Sequence, residues 1–317
     1  MKKALLLIVF APSALLSQNI DFCIGSCADY TGERNEEIFS AIVDKKPDFF
    51  LWLGDNIYST EPNWGNKKSM AKAYIKRHST KPISSMFDII TKQYAIWDDH
   101  DFGPNDADSS FSGKNISAKI FESVWSQTPV NLSENGDIRW RTRNNEIALI
   151  GLDNRSHRGP IGTHILGDDQ LNWLRETLIM YEDARVVFIA IGSQVLNDAK
   201  VYENYSRFPE ERLELLKICS ESNSQIVFLT GDRHHGELNI KYIDNKRLID
   251  ITSSPLTSST HDPSKKEMRK NNSLVHGSIV NVNHFNRIIW DGEFNLSTEF
   301  IDVNGDVIFQ KSWFIEN

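Results

Sequence analysis

The sequence predicts an α/β (α+β) chain in which two mixed β-sheets are sandwiched between helices. Three observations carry that expectation. Through about residue 230, short apolar runs of strand character alternate with segments of helical periodicity, the pattern of parallel βα units. From Glu237 onward nearly every apolar run reads as a strand, and Asn245 and Asn304-Gly305 mark hairpin turns. No repeat, linker or shift in composition divides the 317 residues, so 18–317 is read as one domain.

Taken in order, residues 20–24 read as a strand, 35–44 as a helix, and 49–53 as a strand apolar on both faces. Residues 67–77 look helical, 94–97 form a short apolar strand, and 114–125 again look helical. The runs 138–143 and 147–152 pair as a hairpin turning at Asn144-Asn145. A helix is expected over 167–180, a buried strand over 185–191, a helix from Pro209 to about 220, and a buried strand over 226–230. Strands follow at 238–243, 247–252, 278–282, 287–290, 297–303 and 307–313. The polar stretch 253–272 is the one long loop, read either as a cover for a site or as disordered.

The first residues, Met1-Lys2-Lys3, precede an apolar run over 4–16 and then Ser17-Gln18. This is the layout of a cleaved Sec-type signal peptide, 1–17, and implies export to the periplasm or beyond. Its apolar run is too short to span a bilayer, and no later segment approaches the length a span needs, so no stable membrane anchor is expected. A formal net charge of -8 gives no general attraction to nucleic acid or anionic lipid. Of the three cysteines, Cys23 and Cys219 lie in apolar stretches and read as core residues, with a disulfide between them left open. Cys27, in the turn Gly25-Ser26-Cys27-Ala28-Asp29, has the context of a ligand.

Four polar turns each follow an expected strand: Gly25-Ser26-Cys27, Gly54-Asp55-Asn56-Ile57-Tyr58, residues 97–106 and Gly231-Asp232-Arg233-His234-His235. The third crowds Asp98, Asp99, His100, Asp101, Asn105 and Asp106 at one strand end, where like charges repel unless a cation neutralises them. Ligands at the carboxyl ends of neighbouring strands converge, because the sheet holds the bases of the turns together. Cys27, Tyr58, Asp55 and Asp232 offer anionic donors; thiolate and phenolate suit iron(III). Asp99 and the Asn105 amide are hard oxygen donors suited to calcium, magnesium or manganese. Asp55 has two oxygens and would bridge two ions, and such a pair clamps the oxygens of an in-line phosphoryl displacement.

These turns resemble the alkaline phosphatase D (PhoD-like) branch of the metallophosphoesterases. The motifs are GSC at 25–27, GDNIY at 54–58, WDDHDFGPND at 97–106, LDNR at 152–155, LGDDQLNWL ending at Leu174 and GDRHHGE at 231–237. The resemblance implies a metallophosphoesterase-like four-layer αββα sandwich, with iron and calcium as cofactors. It implies Cys27, Asp55, Tyr58, Asp99, Asn105, Asp232 and His234 at ligand positions. His100 would then stand near the leaving oxygen, and Arg155 would face the phosphate with its planar fork. The expected activity is that of an exported alkaline phosphatase, acting through metal-activated water on small phosphate monoesters, diesters or both. A diester-specialised phospholipase or phosphodiesterase is the rival within enzymes. A metal- or phosphate-binding protein without turnover is the rival outside them.

Overall fold

Alternation along the strands builds the layers. In β1 (Ile20–Gly25), Ile20, Phe22 and Ile24 enter one apolar core while Cys23 enters another. The computed structural model describes residues 19–29, 37–58, 64–130, 132 and 136–316. The expected leader at 1–17, and Asn35 and Glu36 of the first expected helix, lie outside the described residues. After β1 come α1 (Ile38–Asp44), β2 (Phe49–Leu53), α2 (Lys67–His78), α3 (Lys81–Ile89), β3 (Gln93–Ile96), α4 (Asp99–Phe102), α5 (Lys114–Val124) and β4 (Trp140–Asn144). Then follow β5 (Ile147–Gly151), α6 (Gly167–Met180), β6 (Val186–Ile191), α7 (Pro209–Ser220), β7 (Gln225–Thr230), β8 (Glu237–Ile243), β9 (Lys246–Thr252), α8 (Lys265–Lys270), β10 (His284–Trp290), β11 (Asn295–Asp302) and β12 (Val307–Phe314).

One sheet runs β12-β11-β10-β1-β2-β3 and the other β4-β5-β6-β7-β9-β8. Strands β1, β2 and β3 are mutually parallel, as are β5, β6, β7 and β9; the remaining pairings are antiparallel. The core between the sheets holds Phe22, Leu51 and Ile96 from one and Phe188, Leu229 and Ile251 from the other. Phe50 and Trp52 turn outward to helices α1, α2, α3 and α5, while Val187 and Ile189 turn outward to α6 and α7. The four-layer αββα sandwich with two mixed sheets is therefore the fold. Phe188 stands in its middle, edge-on to Phe22 at 5.1 Å between ring centroids. Truncation, Phe188→Ala, is expected to lower unfolding free energy by about 3–5 kcal/mol, read as a shifted urea midpoint at unchanged slope.

The structure answers two points that the sequence reading left open and departs from it in its elements. Cys23 and Cys219 are free and lie in opposite outer layers, with both sheets between them, so no disulfide joins them. The expected strand at 278–282 makes only an isolated bridge, Val280 to Gly236. Helices α3 and α4 were not expected. The stretch 253–272 is ordered and tied down: Leu256 N–H donates to the Ser26 carbonyl (2.8 Å), and those of Thr257 and Ser258 donate to the Cys27 carbonyl (3.3 and 3.1 Å). Its polar composition serves the backbone groups of the polar turns, which have left the sheet ladder and still need partners.

Candidate metal centre

The seven strands that run parallel within their own sheets all deliver residues to one edge of the sandwich, as carboxyl ends of parallel strands do. Strand β1 leads to Cys27, β2 to Asp55 and Tyr58, and β3 to Asp98, Asp99 and His100. From the other sheet β5 leads to Asn154 and Arg155, β6 to Gly192 and Ser193, β7 to Asp232 and His234, and β9 to Ser254. Within each sheet the neighbouring turns are tied together. Cys27 N–H donates to the Gly54 carbonyl (3.2 Å) and Gly231 N–H to the Gly192 carbonyl (2.9 Å). Gly54 has φ +94°, and a Cβ there would lie 2.7 Å from that of Asp98, so only glycine fits between the second and third turns.

Two overlapping groups of donors result. Ligand atoms of Cys27, Asp55 and His234 lie within 4.8 Å of one another, and so do those of Asp55, Asp99 and His100. Asp55 is common to both, as a bridging carboxylate must be. Its Oδ2 accepts from the Tyr58 hydroxyl (3.1 Å) and from the Cys27 thiol (3.6 Å), while its Oδ1 accepts the His100 N–H (3.3 Å). Cys27, Asp55, Asp232 and His234 all have left-handed backbones, with φ of 57°, 52°, 67° and 56°. Non-glycine residues held there store roughly 1–3 kcal/mol each, and such strain gathers where function fixes geometry.

The electrostatics leave this cluster short of positive charge. Burial, then the charges of Asp99 and Asp98, push the Asp55 carboxyl well above the usual range. Burial, then Asp98 and Glu203, do the same to Asp232. The Cys27 thiol is pushed up by burial and then by Asp55 and Asp232, and the Tyr58 phenol by burial and then by Asp55. Asp99 goes the other way. Burial is outweighed there by Arg155 and His100, so Asp99 carries charge while Asp55 lacks a counterion. A cation relieves this arrangement, because it favours the ionised form of donors that burial and neighbouring charge disfavour.

His234 is already set as a ligand. Its Nδ1 lies 2.6 Å from the Ser259 carbonyl, which can only accept, so the proton sits on Nδ1. The bare Nε2 faces the Tyr58 hydroxyl at 3.4 Å. Burial lowers the imidazole pKa and keeps it neutral, as metal ligation needs. The residues present therefore fit a metal group.

Not every expected residue joins them. Asn105 is exposed and its amide N–H donates to Asp106 (2.8 Å); the group that reaches Asp99 is the Asp106 backbone N–H, at 2.6 Å. Asp232 lies outside both 4.8 Å groups, though its charge acts on Cys27 and Asp55. Arg155 faces no open space: its side chain is 0% exposed, its Nε is paired with Asp98, and its Nη2 lies 2.6 Å from Glu203 and 3.7 Å from Asp99. His100 is half-buried, with its ring 4.2 Å from that of Tyr58, and shares a donor group with Asp55 and Asp99.

Several positions went unread in the sequence. Asp98 caps α4, and its Oδ1 accepts Asn154 Nδ2 (2.9 Å) and the Asp99 N–H (3.0 Å) as well as Arg155. Ser254 donates to Cys27 Sγ (3.2 Å), and Glu203 bridges Arg155 and Arg158. Gly192 packs against the Asp98 carboxylate where any Cβ would collide. A strand followed by Gly192-Ser193 repeats the pattern of the other turns and was the available signal. A third group, His235, Glu237 and Glu267, is buried but closed by its own partners. Asn197, Asn239 and Asn271 all donate to Glu237 Oε1, and Arg233 pairs with Glu267.

Comparison with solved structures finds this architecture elsewhere. The chain is similar to PhoD, with a TM-score of 0.74 and 14% identity, covering 94% of this chain and 70% of that one. It is similar to purple acid phosphatase PPD1 from yellow lupin (Lupinus luteus) seeds, with a TM-score of 0.62 and 12% identity, covering 93% and 54%. It is also similar to GAP50, the anchor in the inner membrane complex of Plasmodium, with a TM-score of 0.61 and 12% identity, covering 94% and 90%. At these identities the likeness is one of fold, the metallophosphoesterase fold. No protein-family model and no curated protein matches the chain.

Proposed function

We propose that the chain is a metal-dependent phosphoric ester hydrolase of the alkaline phosphatase D type, exported by its residues 1–17. The observation that carries the reading is the convergence of Cys27, Tyr58, Asp99, His100 and His234 around Asp55, the carboxylate common to two donor groups. Cys27, Tyr58, Asp55 and His234 would hold one ion, with thiolate and phenolate favouring iron(III). Asp55 and Asp99 would hold a second, calcium or another divalent ion, without Asn105. When bound, such a pair polarises phosphoryl oxygens and lowers the pKa of water.

The protein's own groups supply the rest. Arg155, Arg158 and Arg233 are each ion-paired with carboxylates, so bound cations, rather than a guanidinium, would meet the charge of a phosphate. Asp98 and Arg155 hold Asp99 in place. The Ser259 carbonyl fixes the tautomer of His234. His100, at the half-buried rim, holds the proton given to the leaving alkoxide. Among the described residues no helix is long and apolar enough to cross a membrane.

The fold by itself does not separate a hydrolase from a protein that only binds, since one of its neighbours is described as an anchor. The donor set favours the hydrolase. Metal analysis, visible absorption and turnover of aryl mono- and diesters, before and after chelation, test the reading. Stoichiometric metal, a charge-transfer band and at least a hundredfold loss of rate on chelation are expected. Full activity in demonstrably metal-free protein overturns it. The ratio of monoester to diester rates then decides between a phosphatase and a diester specialist.

A further inference from the structure

Between the ligand candidates Asp232 and His234 stands Arg233. Its neighbours on both sides have left-handed backbones, φ 67° and 56°, and neither is a glycine. Two such residues separated by one do not hold that form unaided; the surroundings must impose it. Arg233 is only 8% exposed and reaches two separate elements. Its Nη2 donates to Glu267 on α8 at 2.5 Å, and its Nη1 donates to the Tyr202 carbonyl at 2.9 Å, in the loop before α7. Glu267 is 6% exposed, and its own N–H is capped by Ser264 (3.1 Å). The same segment grips the turn again, through His261 N–H to the His234 carbonyl (2.8 Å).

We propose that the buried Arg233–Glu267 pair is a clamp that holds the Asp232-to-His234 turn in donor-ready form, so that Arg233 governs metal affinity without touching the metal. Arg233 is thus a positioning residue. The inference rests on the metal reading above and deepens it. The fork meets the two acceptors with different nitrogens, a fixed two-point geometry that the single ammonium nitrogen of lysine does not reproduce. Partners behind metal ligands typically set affinity by 10–100-fold, and that is the range expected here.

The test is cobalt(II) titration of the metal-stripped full chain, read by the absorption of the cobalt–thiolate chromophore at Cys27, with the thermal midpoint of each metal-free variant measured in parallel. Arg233→Lys is expected to weaken cobalt binding 10–100-fold and to alter the band, at temperatures where the chain is fully folded. Glu267→Gln, which keeps an acceptor for Nη2, is expected to weaken it less. A role in stability alone predicts a lowered midpoint with cobalt affinity within twofold of wild type, and that result overturns the clamp. If Arg233→Lys does not fold, Glu267→Gln decides on the same twofold criterion. A wild-type chain that binds no cobalt overturns the metal reading, and the clamp with it.

Discussion

Replacing Asp55 with asparagine is expected to abolish turnover, by on the order of a thousandfold or more, while leaving the metal-free protein at least as stable as wild type. The two effects have separate causes. Asp55 is the one side chain shared by both donor groups, so its loss as an anion removes a ligand from each ion. Lewis-acid stabilisation is worth several kcal/mol, and each 1.36 kcal/mol is tenfold in rate. Without metal, however, the carboxyl is only 2% exposed, crowded by Asp98, Asp99 and Asp232, and pushed toward its neutral form. An amide of the same shape removes that repulsion. Asparagine also tolerates the left-handed backbone at φ 52° better than alanine would, so the substitution isolates the charge. Steady-state rates on an aryl phosphate and the midpoint of the metal-free protein decide the matter. A rate within tenfold of wild type, in protein shown to have lost metal, would sink the assignment.

That pairing of strain, crowded charge and expected gain in stability is how a functional site betrays itself, and it explains what was legible in the sequence. The turns bearing Cys27, Asp55, Asp99 and His234 could be read because each places glycine or a capping aspartate directly after an apolar strand, and parallel strands bring their ends together. Asn105 was read as a ligand, but in the fold it is exposed and bonded to Asp106. Whether it or the next residue reaches Asp99 depends on a left-handed Asp106 (φ 60°) that residue types do not announce. Glu203, which decides what Arg155 does, lies 48 residues away in a loop without periodicity. Among the elements, α3 is only nine residues long, with Ile83 and Met86 buried on one face, and its Pro82 resembles a turn until it is seen in the first helical turn. The stretch 253–272 could be read only as a long loop, a cover for a site or disordered, because hydroxyls and amides form no apolar pattern. They are satisfied instead by carbonyls of other turns, a long-range match that local reading does not see.

Arg155 shows the consequence most sharply, since a substrate-facing arginine and a buried one fail in different ways when truncated. Its guanidinium holds Asp98, Asp99 and Glu203 together from a position with no exposure. Burial acts against its charge, but Asp98 and then Glu203 outweigh that and raise its pKa well above the usual value. Substituting methionine leaves three carboxylates buried around an apolar chain. Breaking a buried pair from one side costs about 3–5 kcal/mol, because the partner charge stays behind without compensation. Arg155→Met is therefore expected to lower unfolding free energy by about that amount, with the loss shrinking in Arg155→Met/Glu203→Gln, where one stranded charge is gone. A residue that met only the substrate would instead raise KM and leave the urea midpoint near wild type. The expected kinetic defect is in kcat with reduced metal retention, since Asp98, freed from Arg155, no longer fixes the start of α4 and with it Asp99 and His100. Equal stability of Arg155→Met and wild type would return the arginine to the role of a substrate contact.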